Sequence, residues 1–303
     1  MQLGEVLCVL PELISGRLAG GLSAIEARIA EVETSLKDPT RSMLATFQTG
    51  LGAFDRITGG LAVGRLTVFA ARPSQGKSAI AVAMAHHLAI TGVKVGLFWL
   101  EDEQTYFADR LLARHTGLPF AWTRRPRPED GIAIAKGSDL RLLDNVLIDS
   151  SKGLTSSQIA ARMRRMARVH GVRVFIVDHL GEIRVSKGEW GDRHDLALGD
   201  AVRVFRNTAI ELRAAPVLFA QQNRQGDARG ENAPPRMSDI QGSGQIEQAA
   251  RILAFIRKTE DSKIQITLRK PVDRAFDLTW NEELATVEYP GPFTSHWSDG
   301  LDQ

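Results

Sequence analysis

The chain has 303 residues, 43% hydrophobic and 24% charged, with a formal net charge of +2, which accommodates one large α/β domain or two small ones. So small a charge does not indicate a nucleic-acid partner on its own, and any such partner must meet a local patch. A single cysteine, Cys8, excludes an intramolecular disulfide, and no apolar run reaches the roughly 18 residues that span a bilayer. No signal peptide is evident, so a cytoplasmic protein that does not meet a membrane is expected.

Residues 1–21 are glycine-punctuated and give no clear element. From 22 to 37, Leu22, Ile25, Ile29, Val32 and Leu36 fall at spacings of three and four, a narrow apolar seam on a predicted helix. Ser23 and Glu26 have capping-box spacing, Glu33 and Lys37 form a favourable i,i+4 pair, and Asp38-Pro39 ends the helix. The seam must be buried on the chain's own domain or on a neighbouring subunit.

From residue 46 to about 290, apolar strands alternate with helices. The predicted strands are Leu66–Ala70, Val95–Leu100, Val146–Ile148, Val174–Val177, Val217–Ala220, Ile252–Ile256 and Ile264–Leu268. Helical stretches lie near 77–91, 103–116, 155–170 and 194–214. This alternation predicts an α/β fold, a mostly parallel sheet flanked by helices, with an antiparallel edge where the last strands follow one another directly. Two long stretches, 121–139 and 222–244, lack periodicity, and such loops are usually functional or disordered. Residues 291–303 are expected to form a loose tail. The helix over 155–170 carries Arg162, Arg164, Arg165 and Arg168, which are expected to form a solvated face and not a nucleic-acid patch.

The strand Leu66–Ala70 runs into Ala71-Arg72-Pro73-Ser74-Gln75-Gly76-Lys77-Ser78, and an apolar helical stretch follows. A phosphate-binding loop usually opens with glycine where this chain has Ala71, but the remaining chemistry is present. Gly76 permits close backbone approach, and successive N–H groups at a helix N-terminus attract an anion. Lys77 offers a point charge to the β- and γ-phosphates of ATP, and Ser78 offers a hydroxyl to Mg²⁺.

Hydrolysis also needs a carboxylate near the metal and a base for the attacking water. Val174–Asp178 reads as a buried strand ending in a carboxylate, and the C-termini of parallel strands line the ligand crevice. Asp178 is therefore expected beside Ser78 at the metal. Glu101 ends its strand in the same way and is the expected general base, although Asp102 and Glu103 follow directly. Gln221, at the end of Val217–Ala220, is placed to sense the γ-phosphate or to serve as a plain polar strand end.

These segments resemble the C-terminal motor domain of DnaB-type replicative helicases. The likeness rests on Thr49-Gly50-Leu51, Phe54-Asp55, Thr58-Gly59-Gly60-Leu61, the loop Ala71–Ser78, Leu100-Glu101, Asp178, Gln221 with Asn223-Arg224, Ser238-Asp239-Ile240, Ser243-Gly244 and Ile246-Glu247-Gln248. These blocks keep the family's order over about 46–280, and the family shares the alanine at the loop start.

The resemblance implies a RecA-like P-loop NTPase, with residues 1–45 an N-terminal segment and linker helix and 46–290 the motor. It implies a hexameric homo-oligomer with ATP and Mg²⁺ between subunits, single-stranded DNA through the centre and 5′→3′ movement. The family's arginine finger, supplied in trans, matches Arg269, with Thr267 where the family has lysine and Arg274 as the fallback. DNA contact is implied for Arg224, Arg229 and Arg236 and for the backbone of Gln241, Gly242 and Gly244, with Gln241 where the family often has arginine. A helicase loader and a primase are further implied partners. Family members usually carry a larger N-terminal domain than the 45 residues preceding the motor here.

Three functions follow. The first is a DNA helicase driven by ATP. The second is a RecA- or RadA-like DNA-dependent ATPase that acts in recombination or loading without unwinding. The third is a non-enzymatic chain that modulates a host helicase through the helix over 22–37.

Overall fold

The computed structural model describes residues 45–125, 139–184, 194–222, 235–240, 243–259 and 261–288, with isolated helical positions between 25 and 37. The chain divides into two units, Met1–Ala45 and Thr46–Gln303. In the first, the described positions are helical, and Ile25, Ile29 and Val32 of the seam are exposed. Leu22, Ser23, Leu36 and the Asp38-Pro39 stop lie outside the described residues, as does everything beyond Glu288.

The second unit opens with a small hairpin of β1 (Thr46–Phe47) and β2 (Leu61–Ala62) around helix α1 (Gly52–Thr58). Asp55 locks this entry: its buried carboxylate accepts from the backbone N–H of Thr49 and Gly50 and from the Thr49 hydroxyl, at 2.8–3.0 Å. Burial raises the Asp55 carboxyl above its usual value, while the Thr49 and Gly50 donors pull it down. The Thr49-Gly50-Leu51 and Phe54-Asp55 blocks thus meet in one structural motif.

The main elements follow as β3 (Leu66–Ala71), α2 (Lys77–Ile90), β4 (Val95–Trp99), α3 (Gln104–Thr116), β5 (Val146–Asp149), α4 (Ser156–His170), β6 (Val174–Asp178), α5 (His194–Glu211), β7 (Ala215–Gln221), α6 (Ser243–Ala249), β8 (Ala250–Lys258), β9 (Lys263–Lys270), β10 (Arg274–Asn281) and β11 (Thr286–Glu288). One nine-stranded sheet runs in the order β11-β10-β9-β8-β3-β7-β6-β4-β5. The pairings from β8 to β5 are parallel, and those from β8 to β11 are antiparallel. The expected antiparallel edge is therefore a third of the sheet, and β10 and β11 add to the predicted strands.

The phosphate-loop strand β3 is central, with all six residues buried. On one face Leu66, Val68 and Ala70 pack with Phe175 and Phe98 under Ile159 and Met163 of α4 and Leu198, Val202 and Phe205 of α5. On the other, Phe69 lies 5.4 Å from both Phe54 and Phe219. Burying the Val/Leu/Ile/Phe side chains of this core contributes about 1.5–3 kcal/mol each. Gly96 in β4 is a packing requirement, since a Cβ there would lie 2.8 Å from the Phe175 ring and 3.0 Å from Met166 Sδ.

Helix α4 has a full capping box from Thr155 and Gln158. Its arginines behave mainly as structural groups: Arg162 pairs with Asp149, and Arg164 forks onto Glu211 at 2.7–3.1 Å. Arg165 and Arg168 are exposed. One boundary needs correction. The sequence predicts a non-periodic stretch running to 244, but Ser243 and Gly244 open helix α6, whose Ile246 is fully buried. That single anchoring apolar residue is too little for periodicity to reveal a seven-residue helix.

Candidate active site

The site lies where β3, β4, β6 and β7 end. After β3 the chain curls through Ser74 and Gly76, with φ of 62° and 97°, a left-handed turn pair of the kind that aims backbone N–H groups at an anion. Gly76 also meets Ile264 of β9, where a Cβ would collide. Helix α2 receives no side-chain cap, so the donors of its first turn stay available to an anion. Gln75 points away from the centre and accepts from the backbone N–H of Lys258 at 2.7 Å.

Lys77 Nζ lies 3.1 Å from Glu101 Oε2 and 3.3 Å from Asp178 Oδ1. Ser78 Oγ donates to Asp178 Oδ2 at 3.2 Å. Lys77, Ser78 and Glu101, with Ala71, Arg72, Pro73, Ser74, Gly76, Asp102, Tyr106, Arg110, Gln221 and Trp280, line a cavity of about 370 Å³, and Asp178 adjoins it through Lys77 and Ser78. The register explains the convergence: Trp99 sits opposite Asp178, and Ala71 opposite Gln221, so adjacent parallel strands stop at one level.

The carboxylates are tuned in opposite directions. Burial raises Glu101, but Lys77, His179 and Lys152 outweigh it and hold the carboxyl below the usual glutamate range. Complete burial pushes Asp178 above its usual value, against the pull of Lys77 and His179. Apart from the Lys77 ammonium at 3.3 Å, Asp178 Oδ1 meets no hydrogen-bond donor. A buried carboxylate oxygen with spare capacity beside a serine hydroxyl fits a hard divalent cation that takes its other ligands from phosphate and water.

Position alone leaves Glu101, Asp102 and Glu103 open as the base, and the three differ in what they face. Glu101 faces Lys77; Asp102 is an exposed wall residue; Glu103 precedes α3 and accepts from the Thr105 hydroxyl. Gln221 reaches the cavity and lies 3.2 Å from His179 Nε2.

Arg269 is remote from its own cavity. Its neighbours Leu268 and Lys270 pair with Ala254 and Leu253, which sit opposite Phe69 and Val68 of β3. That is two to three residues, roughly 7–10 Å, back from Ala71 along the strand. Its guanidinium holds Asp273 at 2.5 Å and the Pro235 carbonyl at 3.0–3.2 Å. Arg274 is exposed. Arg236 is also exposed, with its backbone N–H on Asp239 at 2.7 Å. Gly244 faces open space, while Arg224, Arg229, Gln241 and Gly242 lie outside the described residues.

Sequence reasoning missed several groups. Tyr106 and Arg110, one turn apart on α3, hydrogen-bond at 2.9 Å at the cavity wall, and Arg124 stacks 5.0 Å from the Tyr106 ring. Their i,i+4 spacing behind Glu101 was the available signal. Trp280 comes from β10 and carries Lys258 Nζ 5.0 Å over its ring. Lys152 donates to the carbonyls of Leu100 and Asp102 at 2.6 and 2.8 Å and so holds the Glu101 turn. His179, buried beside Asp178, had no spacing signal at all.

Comparison with known proteins agrees with this arrangement. The chain is 31% identical over 248 residues to a probable plasmid replicative DNA helicase of Chlamydia trachomatis, covering 80% of this chain and 54% of that protein. It is 29% identical over 245 residues to the replicative DNA helicase DnaB of Haemophilus influenzae, covering 79% of this chain and 52% of that protein. It thus spans about half the length of the curated relatives it matches. A DnaB-like replicative helicase, described with its interactions with primase, superposes with a TM-score of 0.72 at 22% identity, covering 95% of this chain and 72% of that one. Residues 46–277 match the family described as DnaB-like helicase C terminal domain, and the chain belongs to that family.

Proposed function

We propose that this chain hydrolyses ATP and uses the cycle to move along single-stranded DNA as a ring of its own copies, separating strands during replication. The observation that carries the reading is the meeting of Lys77, Ser78 and Asp178 within 3.1–3.3 Å of one another or of Glu101 at a phosphate-binding loop.

The loop from Ala71 to Ser78 holds the triphosphate through its amides, with Lys77 on the β- and γ-phosphates. Ser78 and Asp178 would hold Mg²⁺, which would supply positive charge against the charge developing on the phosphates. An arriving triphosphate gives Lys77 a stronger partner and releases Glu101, whose depressed carboxyl is ionised at neutral pH and accepts a proton from water. Arg269 serves the cavity of a neighbouring copy, because it lies too far from its own. The seam at Ile25, Ile29 and Val32, exposed here, docks on that neighbour. Arg236, with Arg224, Arg229 and the backbone at Gln241, Gly242 and Gly244, contacts DNA phosphates without reading sequence. Movement is 5′→3′, and a primase and a loader are the partner classes that the family relationship suggests. Among the described residues no helix is long and apolar enough to cross a membrane.

The test compares ATP turnover, with and without single-stranded DNA, for wild type and Lys77→Ala. Wild-type turnover on the order of a thousandfold above the variant is expected; equal rates would end the hydrolase reading. A forked duplex then separates helicase from DNA-dependent ATPase, and mass measurement with a non-hydrolysable ATP analogue tests the ring.

A further inference from the structure

His179 follows Asp178 at the end of β6, with its side chain 5% exposed. Its Nε2 lies 3.2 Å from Gln221 Oε1, at the end of β7, and 3.6 Å from Glu101 Oε2, just past β4. Nδ1 is buried and has no hydrogen-bond partner. An orphaned buried N–H is rarer and costlier than a bare buried acceptor. A neutral ring therefore carries its hydrogen on Nε2, and a charged ring carries one there too. In either state a single N–H faces two oxygen acceptors on two different strands. Gly181 makes room for the ring, since a Cβ there would sit 3.2 Å from His179 Cε1.

Both acceptors have a second claim on them. Glu101 Oε2 is held by Lys77 at 3.1 Å. Gln221 shares the cavity wall with Lys77 and the phosphate loop. Its successor Gln222 donates to Ala71 O at 2.9 Å and bridges to Ile240, so the base of the segment beyond β7 is fastened to the same loop.

We propose that His179 is a positioning residue that transfers its Nε2–H from Gln221 to Glu101 when a triphosphate enters the cavity, an inference that rests on the hydrolase reading and deepens it. The triphosphate draws Lys77 onto its own oxygens and turns the Gln221 amide toward the terminal phosphate. The first movement leaves Glu101 without its ammonium partner. The second leaves His179 without its acceptor. Closing the 3.6 Å gap between these two groups satisfies both. The new bond fixes Glu101 Oε2 and leaves Oε1 for the attacking water. A diphosphate has no terminal group to turn Gln221, so the base stays unaligned after hydrolysis.

The test measures kcat and KM for ATP, and ADP affinity, in wild type, His179→Phe, His179→Gln and His179→Asn. Phenylalanine keeps the ring and removes the donor. Glutamine places an amide N–H near the Nε2 position, whereas asparagine stops short of it. On this proposal His179→Phe and His179→Asn lower kcat about tenfold or more with KM and ADP affinity within about twofold, and His179→Gln recovers most of the loss. Equal rates for the glutamine and asparagine variants, or wild-type kcat in His179→Phe, would overturn it. The glutamine–asparagine pair decides the matter even where His179→Phe does not fold. Failure of the hydrolase reading is seen separately, as a wild type no faster than Lys77→Ala.

Discussion

In the parallel half of the sheet every strand runs toward one rim, and Lys77, Glu101, Asp178, His179 and Gln221 gather there from the ends of β3, β4, β6 and β7. In the antiparallel half alternate strands return to the far rim. Ile264 at the start of β9 touches the phosphate loop, while Arg269 near its end is carried away and held by Asp273 and Pro235. Parallel strands concentrate chemistry at one edge of a molecule, whereas a hairpin distributes it to two edges. A complete site is therefore natural in the first half, and a group offered elsewhere is natural in the second.

That contrast is broken most directly at Arg269. Arg269→Ala is expected to lower DNA-stimulated turnover by about a thousandfold, the scale of an arginine finger, and to leave nucleotide affinity nearly intact. Mixing it with Lys77→Ala restores part of the turnover, because each subunit supplies what the other lacks. A loss of ATP binding in Arg269→Ala alone, or no recovery on mixing, would place the arginine in its own site.

Next comes Glu101→Gln, expected to reduce kcat about a hundredfold with KM little changed. Its carboxyl lies below the usual value of 4.5, and a base loses activity as pH falls through its own pKa. The acid limb of kcat/KM, which reports the free enzyme, should therefore lie below pH 4.5, and a limb near pH 6 would remove Glu101 from the role. The smallest effect tests the packing behind the rim. Gly96→Ala forces a methyl against Phe175 and should cost about 1–3 kcal/mol, read as a lower Tm; an unchanged Tm would show that β4 and β6 have slack.

Much of the parallel half was legible because each strand is a short buried run closed by a residue of distinct chemistry. The predicted Val174–Val177 falls one residue short of the observed Val174–Asp178, and Val217–Ala220 falls inside Ala215–Gln221, two residues late at its start and one short at its end. β10 was not, since only Leu278 of its eight residues is buried and no alternation marks the edge. Helix α1 has seven residues and no side-chain cap to announce it. Within the site, loop and strand-end residues were readable from their own neighbourhoods. Trp280, Lys152 and His179 were not, because their relevance comes from partners on other strands and leaves no local spacing.

The Gln75 carboxamide, bonded to the backbone of Lys258, has a mechanical meaning. Lys258 closes β8, and β9 pairs with β8 from Ile264 to Leu268 before a register shift between Leu253 and Ala254 that leaves Arg269 as the extra residue. The phosphate loop is thus fastened where β8 ends, and Arg269 sits at the other end of the same hairpin, held by Asp273 and the Pro235 carbonyl. A shift of the phosphate loop would reach Lys258 directly, while the irregularity in the pairing lets Arg269 be aimed separately, as a wrist turns at the end of a forearm.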